Sequence, residues 1–362
     1  MPVLYRKYRP QSFAEVVGQE HVIKTLTNAI VSGMISHAYL FSGPRGSGKT
    51  TIARLLAKAV NCENRKSGEF ESCEKCSSCL EIKEGRSMDL IEIDAASHTG
   101  VDEIRDLIGG IKFVPVKSKY KVFILDETHQ LSKGATSALL KTLEEPPGHA
   151  IFVLATTEPH KILPTIISRC QHFGFRKLTV PEIFKRLEII CQKEKVKVEK
   201  TALNLIALNS GGSIRDAESL LDQMLTFATK DQEIKVEDVK DLLGLVEIAL
   251  VSQFCDFLFQ KKAKEAIDFL NQTADRGLDL QEFVRSLINY LRQGLLLKVG
   301  GFTEQGLTKE EIEKLSLQVA NLKETDFQKI IELFLDAQNK MKYSSIPQLP
   351  LELAIVEYCR VV

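Results

Sequence analysis

Residues 43–50, Gly43-Pro44-Arg45-Gly46-Ser47-Gly48-Lys49-Thr50, fit the pattern G-x-x-x-x-G-K-[ST], a combination suited to holding phosphate. Gly43, Gly46 and Gly48 let the backbone turn its N–H groups inward, with the positive end of a following helix behind them. Lys49 is placed to reach β- and γ-phosphates, and the Thr50 hydroxyl to ligate Mg²⁺. A chance glycine-rich turn is the alternative, and the flanks argue against it. Tyr39-Leu40-Phe41 reads as a short buried strand, and Ile52, Ala53, Leu55, Leu56, Ala59 and Val60 follow with helical spacing. Strand, glycine loop and helix make a P-loop, and a nucleoside triphosphate is the expected ligand.

A second chemical element lies downstream. Lys121-Val122-Phe123-Ile124-Leu125-Asp126-Glu127 is an apolar run of the kind buried on both faces of a parallel sheet, and it ends in two carboxylates. Ligands bind at the carboxyl ends of such strands, so Asp126 is placed to organise Mg²⁺ and Glu127 to polarise an attacking water. Another buried run, Ile151 to Ala155, exits into Thr156-Thr157, whose hydroxyls suit a γ-phosphate or that water. Arg169 stands alone after the apolar Ile166-Ile167 and reads by itself as a surface arginine. Arg215 falls in the first turn of a helix capped by Ser213, where the macrodipole disfavours a cation. That misfit makes it a candidate for function, although Asp216 and Glu218 could simply compensate it.

The third element is Cys62-x10-Cys73-x2-Cys76-x2-Cys79. Four thiolates close a tetrahedral structural site around Zn²⁺ and leave no open position for catalysis. The run lacks the fourth cysteine and proline that follow CxxCxxC in bacterial ferredoxins, which argues against an iron–sulfur cluster; free or redox thiols are the other reading. Arg65, Lys66, Lys75 and Lys83 would offset the charge of such a site. Cys170, Cys191, Cys255 and Cys359 are scattered without ligand spacing and read as small core hydrophobes.

These residues need a scaffold larger than one core. At 362 residues, two or three domains are expected. Forty-eight basic and forty-eight acidic residues exclude strong whole-molecule steering toward nucleic acid, so any such contact is local or built by assembly. No apolar run approaches a membrane span and the N-terminus lacks a signal-peptide core, so a soluble, cytoplasmic protein is expected. The basic-aromatic arm Tyr5-Arg6-Lys7-Tyr8-Arg9-Pro10, followed by Phe13, Val16 and Val17, is either a solvated tail or a flap that walls an adenine. In the second case Tyr8, Arg9 and Val17, with Thr51 beyond the P-loop, join the nucleotide contacts. Helices are expected from about Gln19 to Ser32 and from Val101 to Ile108, the latter capped within Ser97-His98-Thr99-Gly100 and able to take a DNA phosphate at its N-terminus. From about Leu178 the chain turns all-helical, with Thr179 as a cap, a turn at 209–212, and a second helical block from Gly244. In that block Leu280, Phe283, Val284, Leu287, Ile288, Leu291 and Leu295 make one apolar face.

Read together, YRKYRPQSFAEVVGQ, HAYLFSGPRGSGKTT, the four-cysteine insert, IDAASHTGVDEIRDL, LDETHQLS, LLKTLEEPP, LATTEPHKI, ISRC and GSIRDAESLLDQ resemble the γ/τ family of bacterial DNA polymerase III, the AAA+ ATPases of sliding-clamp loaders. The resemblance covers residues 1 to about 360. It implies an α/β P-loop core with a parallel sheet in αβα layers over 1–178, a zinc module inserted at 62–79, an all-α lid over 179–243 and an all-α collar over 244–362. It implies ATP, Mg²⁺ and Zn²⁺ as cofactors. Implied partners are the δ and δ′ subunits, further γ/τ copies, the sliding clamp and primed DNA, with no membrane. Thr157 becomes the γ-phosphate sensor, Arg215 the lid sensor, and Arg169 an arginine finger acting in trans; Ser97, His98, Thr99, Gly100 and Lys133 fall where the family's spiral touches the DNA backbone. Thr128 stands where the family usually has a branched apolar residue. Family chains can continue into regions that bind the polymerase core and helicase, and this one ends at Val362 ahead of them, as a short form or as part of a longer chain. A structural δ′-like subunit and a branch-migration helicase are the rival readings.

Overall fold

A computed structural model describes residues 3–97, 109–111, 113–227, 233–244, 247–301, 309–320 and 322–360. The chain divides into two compact units, 1–234 and 235–362. The expected helix at 101–108, with His98, Thr99 and Gly100 before it, lies outside the described residues.

The first unit is built on five strands: β1 (Ala38–Ser42), β2 (Leu90–Asp94), β3 (Lys121–Asp126), β4 (Ala150–Thr156) and β5 (Gln171–Gly174). All pairings are parallel and the order is β2-β3-β4-β1-β5. The three central strands are buried almost throughout, as apolar runs covered on both faces must be. Strand periodicity sorts their side chains. Tyr39, Phe41, Val122, Ile124, Val153 and Ala155 face one layer, formed by α2 (Glu20–Ser32) and α3 (Lys49–Asn61) after the short α1 (Leu4–Lys7). Ala38, Leu40, Phe123, Leu125, Phe152 and Leu154 face the other, with Leu139 and Leu143 of α5 (Lys133–Glu144) and Ile166 of α6 (Pro164–Ile167). The helix α4 (Ser77–Glu84) begins within the cysteine insert and carries Cys79.

Three helices complete this unit: α7 (Val180–Glu194), α8 (Lys200–Asn209) and α9 (Ile214–Phe227). Thr179 and Glu182 form the capping box that starts α7, and the Ser213 hydroxyl accepts from Asp216 N at 3.3 Å to start α9.

The second unit is helical: α10 (Val236–Leu243), α11 (Ile248–Phe259), α12 (Ala263–Asp275), α13 (Leu280–Val299), α14 (Lys309–Val319), α15 (Glu324–Met341) and α16 (Leu349–Arg360). Its core is Phe254 ringed by Phe269, Phe283 and Phe334, with centroids 5.1 to 6.1 Å away. The expected α13 stripe faces this core, Ile288 and Leu295 only in part. The structure divides after Ile234, whereas the sequence reading begins the second helical block at Gly244. Among the described residues no single helix is long and apolar enough to cross a membrane.

Candidate functional site

The carboxyl ends of β1, β4 and β3 lie side by side, which brings together motifs far apart in the chain. A cleft of about 520 Å³ opens there, a size suited to a nucleotide-sized ligand. Arg9, Val17, Arg45, Gly46, Ser47, Gly48, Lys49, Thr50, Thr51, Asp126, Glu127, Thr157 and Arg215 all line it.

The glycine loop has backbone conformations that side chains resist. Gly46 has φ +72°, and a Cβ there would stand 1.9 Å from the Ser213 hydroxyl oxygen. Gly43 has φ +147°, and a Cβ would strike the Phe175 carbonyl at 2.4 Å. Gly48 then starts α3 in the left-handed region, so the unpaired N–H groups of the first turn face the cleft. Lys49 is buried, and its ammonium donates to Gly43 O at 2.7 Å and Pro44 O at 2.9 Å. Burial lowers its pKa, with Asp126 and Glu127 opposing.

Across the loop, Thr50 Oγ1 donates to Asp126 Oδ2 at 2.7 Å, so the hydroxyl and carboxylate expected to share a metal already converge. Glu127 leaves β3 with φ +48°, an unusual conformation for a side chain of its size and the mark of a constrained site. The turn aims its carboxylate at the end of β4, where Oε2 accepts from Thr157 Oγ1 at 2.8 Å and Thr157 N at 3.2 Å. His129, nearly buried, sits against Thr156 Oγ1 at 3.0 Å and lies between Glu127 and Glu158 at 3.4 and 3.3 Å. Thr128 is also explained: its hydroxyl lies 2.9 Å from Leu125 O and 3.1 Å from Ala155 O, joining β3 to β4 from inside.

The helical wall adds cations. Arg215 lies over the Tyr5 ring at 4.8 Å, and Tyr5 itself lines the cleft. Tyr8 does not line it: its ring carries Lys7 and Lys193 at 5.3 and 5.7 Å, and its carbonyl accepts from Arg186. Arg186 and Glu218 form a buried pair at 3.1 Å, and burial pushes the Glu218 carboxyl up to about 7 against the pull of Arg186.

Sequence reasoning missed this pair, and it missed Gln19 and His129 as site residues. Arg186 interrupts the apolar stripe Ile183, Leu187 and Ile190, and a charge in such a stripe is a legible signal. Gln19, fully buried at φ +61°, donates to Arg176 O at 2.7 Å and Ser47 O at 3.4 Å, tying the segment after β5 to the glycine loop; no local pattern foretells that.

Arg169 is not part of the cleft lining. It follows α6, donates to Thr165 O at 2.9 Å and pairs with Glu144 at 2.7 Å. Ser97 lies 3.4 Å from Asp94, and Lys133 is exposed at the start of α5.

The four cysteines meet. The sulfurs of Cys62, Cys73, Cys76 and Cys79 all lie within 4.8 Å of one another. A tetrahedral zinc with Zn–S near 2.3 Å needs sulfurs about 3.8 Å apart, so a small contraction closes the site. Backbone N–H groups already point at the sulfurs, Cys73 N to Cys62 Sγ at 3.2 Å and Cys76 N to Cys73 Sγ at 3.3 Å, as thiolates require. The N–H groups of Lys75 and Cys76 help draw the Cys73 thiol down to about 6, whereas burial raises Cys79. The donor set and spacing fit a closed metal site.

Comparison with known proteins follows the same division. Residues 18–179 match the family model for DNA polymerase III, delta subunit; residues 182–230 that for the DNA polymerase III clamp loader subunit, ATPase lid domain; and residues 234–362 that for DNA polymerase III subunits gamma and tau domain III. The chain is 44% identical over 358 residues to DNA polymerase III subunit tau of Bacillus subtilis, covering 99% of this chain but 63% of that protein. It is 37% identical over 360 residues to subunit gamma of Buchnera aphidicola, covering 98% of this chain and 97% of that one. The chain thus spans less than two thirds of the Bacillus tau subunit. Among solved structures, the Thermotoga maritima RuvB Holliday junction branch migration motor shares the fold, with TM-score 0.50 and 21% identity over 85% of this chain and 98% of that one. A glycine loop, a carboxylate pair and a helical wall converge on one cleft, and 37% identity to gamma runs over nearly the full length of both chains: the chain belongs to the gamma/tau family of DNA polymerase III subunits.

Proposed function

We propose that this chain is an ATP-hydrolysing clamp-loader subunit, which uses ATP binding and hydrolysis to place a sliding clamp on primed DNA. The observation that carries the reading is the opposition of Lys49 and Thr50 to Asp126, Glu127 and Thr157 across one cleft. The P-loop N–H groups and Lys49 bind the phosphates, exchanging the two loop carbonyls that Lys49 now contacts for phosphate oxygens. Thr50 and Asp126 would hold Mg²⁺, which supplies charge neutralisation between the β- and γ-phosphates. Glu127 orients the attacking water, and Thr157 holds Glu127 until a γ-phosphate competes for its hydroxyl. Arg215 closes the helical wall on the nucleotide, and Arg169 serves a neighbouring copy.

In this reading α7 to α9 are the lid and the second unit is the collar that joins δ, δ′ and further γ/τ copies. Ser97 and Lys133 face the DNA backbone. The four cysteines hold a structural zinc. A δ′-like scaffold needs no hydrolytic apparatus, and here the Lys49, Thr50, Asp126 and Glu127 set is complete. The deciding experiment is steady-state ATP hydrolysis by the reconstituted loader, with and without primed DNA and the cognate clamp. Stimulation by both is expected; turnover that persists when only the other subunits carry intact P-loops overturns the proposal.

A further inference from the structure

The cleft's outer wall is a strap, residues 9–17, of which Arg9, Pro10, Glu15, Val16 and Val17 line the cavity. A strap of loop and one short turn is anchored in the core chiefly by Phe13, with Val16 partly packed, so its position also depends on the polar contacts that hold it. The N-terminal end is held by the helical wall: Lys7 pairs with Glu194 at 2.6 Å and Arg186 donates to Tyr8 O. The middle is held by the cysteine insert. Glu71 accepts from Phe13 N at 3.2 Å and Ala14 N at 3.1 Å, one backbone group to each carboxylate oxygen, at the start of the short turn Phe13–Glu15. Phe70 meets the buried Phe13 ring edge-on at 6.5 Å. Lys58, itself buried, donates to Gln11 O at 3.0 Å and pairs at 2.5 Å with Glu74, which sits between two of the cysteines.

We infer that the four-cysteine insert acts as a brace for the nucleotide site, with Glu71 and Phe70 as positioning residues that hold the strap against bound nucleotide. This rests on the P-loop reading of the cleft. The physical argument is preorganisation: if the strap is in place only part of the time, apparent affinity falls by that fraction. Removing the Glu71 carboxylate frees two backbone donors at once. The effect is reciprocal, so nucleotide binding strengthens the insert's hold on its metal.

The test is equilibrium binding of a fluorescent ADP analogue to the purified full chain, with zinc content measured on the same samples. Glu71→Ala and Phe70→Ala are each expected to retain zinc and weaken binding about tenfold, equivalent to about 1.4 kcal/mol. Glu71→Gln, which keeps one good acceptor, is expected to recover part of the loss. In the parent, added ADP should slow zinc loss to a chelator, and in Glu71→Ala it should not. Binding within twofold of the parent in both alanine variants overturns the brace. A Lys49→Ala chain that binds as the parent does overturns the P-loop reading, and this one with it.

Discussion

Lys49 and Glu127 face the same cleft, and the separate duties proposed for them can be told apart by single substitutions. Lys49 is a buried cation whose present partners are two carbonyl oxygens, so it is poised to exchange them for phosphate. Lys49→Ala is expected to abolish tight nucleotide binding. Glu127→Gln keeps the shape and the contact with Thr157 but cannot polarise water, so binding should persist while single-turnover hydrolysis disappears. Hydrolysis by Glu127→Gln at the parent rate would remove Glu127 from the mechanism. A different residue contributes to the acid limb of stability. Hydrogen bonds from Arg176 at 2.6 and 2.8 Å hold the Glu182 carboxyl down at about 2, against an ordinary 4.5. A depressed carboxylate contributes stability that is present above about pH 4.5 and lost as pH falls toward 2. Because Arg176 is 40% exposed and solvent screens the pair, Glu182→Gln should cost at most about 2 kcal/mol near pH 7, less than the full shift implies, and flatten the loss between those limits, as read from unfolding of the first unit against pH. An unchanged acid limb would show that Arg176 does not carry that stability.

At the scale of elements, the glycine loop is pinned from two sides, by Phe175 just after β5 and by Ser213 just before α9. Gly46→Ala combines a disfavoured φ with an overlap against Ser213, so it should weaken nucleotide binding while the second unit melts as before. Ser213→Gly on the same chain relieves the overlap but not the backbone cost, and partial recovery of affinity is expected. The cysteine insert has its own check: Cys76→Ser should lower zinc below stoichiometric and destabilise the insert through the lost metal ligand, since serine can still accept from Cys79 N at the start of α4. Much of this was legible in the sequence because it is local. The strand-loop-helix around Lys49, the run ending in Asp126, the Thr179 cap and the cysteine spacing each depend on residues close in the chain. The rest depends on long-range placement. Gln19 meets Ser47 and Arg176, Arg186 meets Tyr8, and Glu71 meets Phe13, and none of these pairs has a spacing to read. The Tyr5–Arg215 pair illustrates the boundary: Arg215 is visible as an electrostatic misfit, but its aromatic partner emerges only once the arm is folded.

At the scale of the whole molecule, the proposed mechanism turns on an arginine outside the cleft lining. In that mechanism Lys49 and Mg²⁺ would neutralise one side of the transferring phosphate, while charge develops on all its equatorial oxygens, so a further cation would matter most in the transition state. Arg169 is a third exposed, lies off the cleft lining, and is held by Glu144 and Thr165 on the outside of its own unit. Its place is consistent with service to a neighbouring copy. An arginine supplied in trans can be worth roughly 10³ to 10⁵ in rate, or about 4 to 7 kcal/mol. Arg169→Ala should bind nucleotide nearly as the parent does and lose hydrolysis in the assembled complex by at least two decades. Glu144→Ala releases the arginine from its exposed partner, and because such pairs are weak it should change turnover little. Mixing Arg169→Ala chains with Lys49→Ala chains gives the decisive outcome. The first keep a nucleotide site and the second keep a finger, so neither hydrolyses alone, and mixed rings should recover turnover in proportion to the junctions where the two meet. Absence of recovery in rings shown to be mixed, or a loss of monomer nucleotide affinity in Arg169→Ala equal to that in Lys49→Ala, would place the arginine at its own site instead.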